Sequence, residues 1–102
     1  MKPRYVLAPE AAADLGQIWD YLNQVGNSAL ADRVEAAILD RIEFLSRSPG
    51  VGHSRPDLTS AAVKFFPVYS YLIVYRPQFR PLQIVAILHG HRQIDVALSS
   101  RR

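Results

Sequence analysis

LQIVAILHGHRQID, residues 82–95, decides the fold. The stretch opens as an apolar run, Ile84-Val85-Ala86-Ile87-Leu88, and ends abruptly in His89-Gly90-His91-Arg92. A run that is apolar on both alternating faces reads as a strand covered on both sides, hence a central one. After Leu88 the residue types change from packing groups to titratable and cationic ones. That is the pattern of a scaffold strand delivering polar side chains to its own end. A central strand needs partners at its edges and cover on its faces, and the rest of the chain supplies them.

Working outward, Tyr69–Arg76 is the clearest partner strand. Tyr71, Ile73 and Tyr75 point one way, and Leu72, Val74 and Arg76 the other. The five-residue loop Pro77-Gln78-Phe79-Arg80-Pro81 is bounded by prolines, which cannot continue a ladder, so the central strand returns antiparallel. Val63–Val68 is a short strand that carries Lys64 and is broken near Pro67. At the N-terminus, residues 2–8 form a first strand closed by Pro9.

Pro9 suits the first position of a helix, where its missing N–H costs nothing. Leu15, Ile18, Trp19 and Leu22 follow the i, i+3, i+4, i+7 stripe, which predicts a helix to about Gln24 ended by Gly26, with Trp19 as a core anchor. Asn27-Ser28 supplies the next N-cap. A second helix runs to about Ser48 on the stripe Leu30, Val34, Ala37, Ile38, Ile42 and Leu45. Leu39 and Phe44 lie off that stripe, so they widen the buried face or contact another chain. Pro49-Gly50-Val51-Gly52 stops the helix. A loop holding His53 and Arg55 then extends to about Ala62. After Arg92, IDVALSSRR reads as a short helical or frayed tail. The expected class is α+β: an N-terminal strand and a two-helix antiparallel hairpin packed on an antiparallel sheet of about four strands, with a short C-terminal helix or tail.

The length of 102 residues suits one domain. There is no cysteine, so disulfides and thiolate zinc sites are excluded. No apolar run approaches a membrane span, and no signal-peptide core is present; the expected location is the cytoplasm. The net charge of +3 is unevenly spread. Residues 1–46 hold four basic groups against seven acidic ones, giving −3; residues 47–102 hold eight against two, giving +6. The C-terminal half should attract a polyanion or an acidic partner.

Several segments, in order, resemble the ParE branch of the RelE/ParE toxins of bacterial type II toxin–antitoxin systems. They are Leu7-Ala8-Pro9-Glu10-Ala11, Asp14-Leu15, Ile18-Trp19-Asp20-Tyr21, Ala31-Asp32-Arg33, and Leu45 with Ser48-Pro49-Gly50-Val51-Gly52. Pro56-Asp57-Leu58, Tyr71-Leu72-Ile73-Val74-Tyr75 and Ile87-Leu88-His89-Gly90-His91-Arg92 complete the series. The resemblance implies a compact toxin, of the kind found in plasmid stabilisation systems, that needs no cofactor. It implies a cognate ParD-like antitoxin, acidic and with a DNA-binding N-terminal part, that wraps the toxin and holds it inactive. It also implies DNA gyrase as the target, with replication blocked. Relatives in the RelE branch instead cleave mRNA on the ribosome. This chain departs from the pattern at Gln93, where a carboxylate commonly follows the arginine. The RelE branch usually carries a C-terminal aromatic residue used in RNA cleavage, and this chain has no Tyr or Phe after Arg92.

Three chemistries are weighed. In a binding toxin, His89, His91, Arg92, Arg101 and Arg102 would contact the target. In a metal-independent ribonuclease, His89 or His91 would supply acid or base while Arg92 and Lys64 hold phosphate. A metal site at His89-x-His91 lacks the three or four ligands that zinc requires. The sheet is apolar on both faces and two helices can cover only one. Something should therefore shield the other: the tail could do part of this, and an antitoxin segment the rest by groove binding or strand addition. Leu39, Phe44, Tyr71 and Tyr75 are the candidate antitoxin contacts.

Overall fold

The computed structural model describes residues 3–57 and 59–89. Leu58, the predicted tail, His91, Arg92, Gln93, Arg101 and Arg102 lie outside the described residues. The elements are β1 (Tyr5–Leu7), α1 (Pro9–Val25), α2 (Ser28–Arg47), a 3-10 turn at Pro49–Val51, β2 (Lys64–Val68), β3 (Tyr71–Arg76) and β4 (Leu82–His89). The sheet order is β1-β4-β3-β2, so the stretch that opened the sequence reading is indeed an inner strand.

The helices begin and end where local chemistry dictates. Pro9 opens α1, with Glu10 in the positively polarised first turn. The Asn27 side chain accepts the Leu30 N–H at 2.8 Å and caps α2. Between the helices, a Cβ on Gly26 would stand 2.8 Å from Leu30, so the reversal is tight. Trp19 is half-buried rather than a core anchor. Its indole N–H donates to Asp32 at 2.8 Å and ties α1 to α2. The reason is that an indole needs a partner for its N–H, which the rim provides and the core does not.

One apolar cluster fills the space between hairpin and sheet. Ile38, Ile42 and Leu45 from α2 meet Ile73, Tyr75, Leu82, Ile84 and Ile87 there. Each such side chain contributes about 1.5–3 kcal/mol by leaving water. A second cluster lies on the opposite face: Val63, Phe65, Leu72, Val74, Val85 and Ala86. These residues are already largely buried within the chain. A bulge opposite Val74/Tyr75 divides β4 between the clusters. Ile84 and Ile87 face the helices, whereas Val85 and Ala86 face away. This two-residue step is why the run lacks strict alternation.

One pairing departs from the expected antiparallel pattern. β1 runs parallel to β4, with Tyr5 opposite Leu82 and Leu7 opposite Ile84, so the sheet is mixed. The helical hairpin, β2 and β3 all lie between these two strands in the chain, which gives the long connection that a parallel pairing needs. The outer edges are guarded. β1 is only three residues long. On β2, Phe65 exchanges both backbone hydrogen bonds with His53 at 2.8 Å. Pro67 stands on the same outward side and has no N–H to offer. The β2–β3 turn is Tyr69-Ser70, with Tyr69 at φ 55 in the left-handed region.

Candidate functional site

β4 is longer than the strand beside it. β1 ends at Leu7, opposite Ile84, and the chain then leaves the sheet as α1. From there to His89 the outer side of β4 has no strand partner among the described residues. Its Ile87 N–H is met instead by Asp14 of α1, whose Oδ2 accepts it at 3.0 Å. By strand alternation His89 turns its backbone to that same side.

The result is an open groove of about 430 Å³ between α1 and the end of the sheet. Asp14, Gln17, Ile18 and Tyr21 form one wall; Tyr71, Ile87, Leu88 and His89 form the other. The helical wall follows from spacing, since 14, 17, 18 and 21 share one face. Tyr21 is 57% exposed and Val25, one turn on, is 62% exposed, which leaves an apolar rim. Across the sheet, Tyr71 and His89 are directly opposed in the closer type of antiparallel pair, and their rings stand 5.0 Å apart. Burial, and then the neighbouring Tyr21, push the Tyr71 phenol above its ordinary value, so it stays neutral. α1 carries Glu10, Asp14 and Asp20 and no basic residue. The groove is therefore largely apolar, with one carboxylate, Asp14, on its helical wall.

The predicted site residues do not all meet. His89 and Tyr71 line this groove together. Lys64 sits at the level of Tyr75, four residues from Tyr71 along the ladder and two strands from β4. That places it about 13 Å along the strands and about 10 Å across them from His89. Its ammonium donates instead to the Gly52 carbonyl at 3.4 Å. Leu39 packs partly against the main core. Phe44 is 37% exposed on α2, with Phe66 at 6.1 Å between ring centres. Tyr75 is fully enclosed, so it offers no surface to a partner. Its hydroxyl donates to the Pro49 carbonyl at 2.7 Å and accepts the Gly52 N–H at 2.9 Å. Burial pushes this phenol up as well, partly offset by the Gly52 N–H. His53 and Arg55 flank a separate cleft beside Tyr69, and Arg55 is held by both carboxylate oxygens of Asp57, at 3.0 and 2.8 Å. That pair raises the affinity of the guanidinium for its proton.

Among the described residues, no cluster of three or more His, Asp or Glu side chains could hold a metal ion. None of their helices is long and apolar enough to cross a membrane. Sequence reasoning overlooked Asp14, Gln17 and Tyr21 as site residues. The signal was present as a second stripe beside the core stripe of α1.

A family model described as "ParE toxin of type II toxin-antitoxin system, parDE" matches residues 5–94. Among solved structures, a chain of the "Chromosomal ParDE TA system from P. aeruginosa" has a similar fold, with a TM-score of 0.72 and 20% sequence identity. The likeness covers 84% of this chain and 94% of that one, and at this identity it is a likeness of fold. A search of curated proteins finds no match.

Proposed function

The chain belongs to the ParE toxin family of type II toxin–antitoxin systems, and from that premise we propose that it is a binding toxin. It traps DNA gyrase and so blocks replication, and a cognate ParD-like antitoxin silences it. The antitoxin occupies the groove between α1 and the His89 end of the sheet. The observation that carries this reading is the overhang of β4 beyond β1. It exposes an apolar groove and an open stretch of strand edge side by side. An extended or helical segment can use both, with backbone hydrogen bonds to the edge and side chains against Tyr21, Ile18 and Tyr71. The lining, apolar apart from Gln17, His89 and the single carboxylate of Asp14, favours an apolar inserted segment over an acidic one. The acidic part of the antitoxin then belongs on the basic surfaces of the C-terminal half.

The RelE-like reading, a ribosome-dependent endoribonuclease, needs a base, an acid and a phosphate-holding cation within reach of one bond. The separation of Lys64 from His89 speaks against that assembly. A paired assay decides. In a gyrase cleavage reaction the purified chain should accumulate trapped enzyme–DNA breaks, while mRNA in a translation reaction stays intact. Cleavage between codons with gyrase unaffected would overturn the proposal.

A further inference from the structure

The parallel pairing of β1 with β4 has a chemical consequence at the sheet end remote from His89. Arg4 immediately precedes β1, and Arg80-Pro81 immediately precede β4. The register Tyr5 opposite Leu82 sets Arg4 beside Pro81. Had the two strands run antiparallel, their starts would lie at opposite ends of the sheet. Instead Arg4 and Arg80 line one open cleft of about 410 Å³, with Pro3, Ser46 and Pro81.

The two guanidiniums are uncommitted in a specific way. Arg80 Nη1 donates to the carbonyls of Pro77 and Phe79, both at 2.7 Å, which fixes the plane of the group. Its Nε and Nη2 have no acceptor among the described residues. Arg4 makes no side-chain hydrogen bond or ion pair among them. Among the described residues, no acid lines the cleft. Glu43, one turn before Ser46, is paired with Arg47 at 3.1 Å. The Ser46 hydroxyl is committed to the Glu43 carbonyl.

We propose that this cleft binds a backbone phosphate of a nucleic acid, Arg4 and Arg80 each donating to its oxygens. A planar fork of N–H donors matches phosphate oxygens better than any other side chain does. A free phosphate would be poorly coordinated here. Enclosed phosphate sites use backbone N–H groups, and the prolines on the cleft wall have none. A polyanion needs no such enclosure, because neutralising each phosphate releases condensed counterions. This cleft and the antitoxin groove lie at opposite ends of β4, so failure of one leaves the other standing.

The test is fluorescence anisotropy of a short labelled DNA duplex with the full chain, between about 50 and 200 mM salt. The double variant Arg4→Gln/Arg80→Gln should bind at least about tenfold more weakly at low salt. Its slope of log affinity against log salt should be shallower by about 0.9, the value for one neutralised phosphate. Arg4→Gln alone, which breaks no side-chain hydrogen bond or ion pair among the described residues, should lose about half of that. Unchanged slopes in both variants, or wild-type binding without salt dependence, overturns the proposal. Displacement of the duplex by inorganic phosphate, beyond a sodium chloride control of equal ionic strength, marks a free-anion site and overturns the nucleic-acid assignment.

Discussion

The Tyr75 hydroxyl, enclosed between Pro49 and Gly52, shows how a single atom ties the loop after α2 to the sheet. A Cβ on Gly52 would stand 2.9 Å from the ring carbon Cε1 of Tyr75 and nearer still to its oxygen. Gly52→Ala should therefore cost about 2–4 kcal/mol, measured by urea unfolding, because a buried ring and loop must separate. The same tyrosine sets an alkaline limit. Its ordinary value is 10.0, and burial raises it in the fold. Above pH 10 the unfolded chain releases this proton while the folded chain keeps it, so stability falls as pH rises. Below pH 10 the group contributes no slope. Tyr75→Phe should lose about 1–3 kcal/mol at neutral pH by stranding the Gly52 N–H. Between pH 10 and 11 it should fall less steeply than the wild type, which unfolding midpoints will show. The sequence showed the Gly52 stop and the inward side of Tyr75 separately. Their contact spans 23 residues, and no local pattern announces a pairing at that range.

At the scale of elements, periodicity located both helices, and alternation assigned the two faces of β3 correctly. It mistook the direction of β1, because three residues carry no signal for parallel or antiparallel pairing. It also missed the Tyr69-Ser70 turn. That turn lacks the glycine or asparagine that usually marks a left-handed position, so β3 was extended two residues too far. Pro67, read from sequence as a break, lies inside β2 at a position whose missing N–H faces outward. It acts as edge protection. Pro67→Thr restores a donor to that edge and should increase self-association, seen as an earlier concentration-dependent shift in size-exclusion elution. Equal elution at every concentration would show that His53 alone suffices to guard the strand.

Across the whole molecule, the hairpin decides where the sheet is closed and where it is open. It takes the chain off the sheet after Leu7, covers one face, and leaves the middle turns of α1 and the end of β4 facing each other across a groove. The sequence revealed one wall of that groove through His89, because a polar end on an apolar run is conspicuous. The α1 wall stayed hidden, since Asp14, Gln17 and Tyr21 look like an ordinary solvated face until β4 is seen opposite them. His91 and Arg92, the other conspicuous residues of the opening stretch, lie outside the described residues, so the groove stands on its described walls. Amide hydrogen exchange of the chain, alone and saturated with its antitoxin, tests the account most directly. It predicts new protection at the Ile87–His89 backbone and along Asp14–Tyr21, with the Arg4 and Arg80 end unchanged. Protection confined to the exposed face of α2, with the β4 end exchanging as in the free chain, would contradict it.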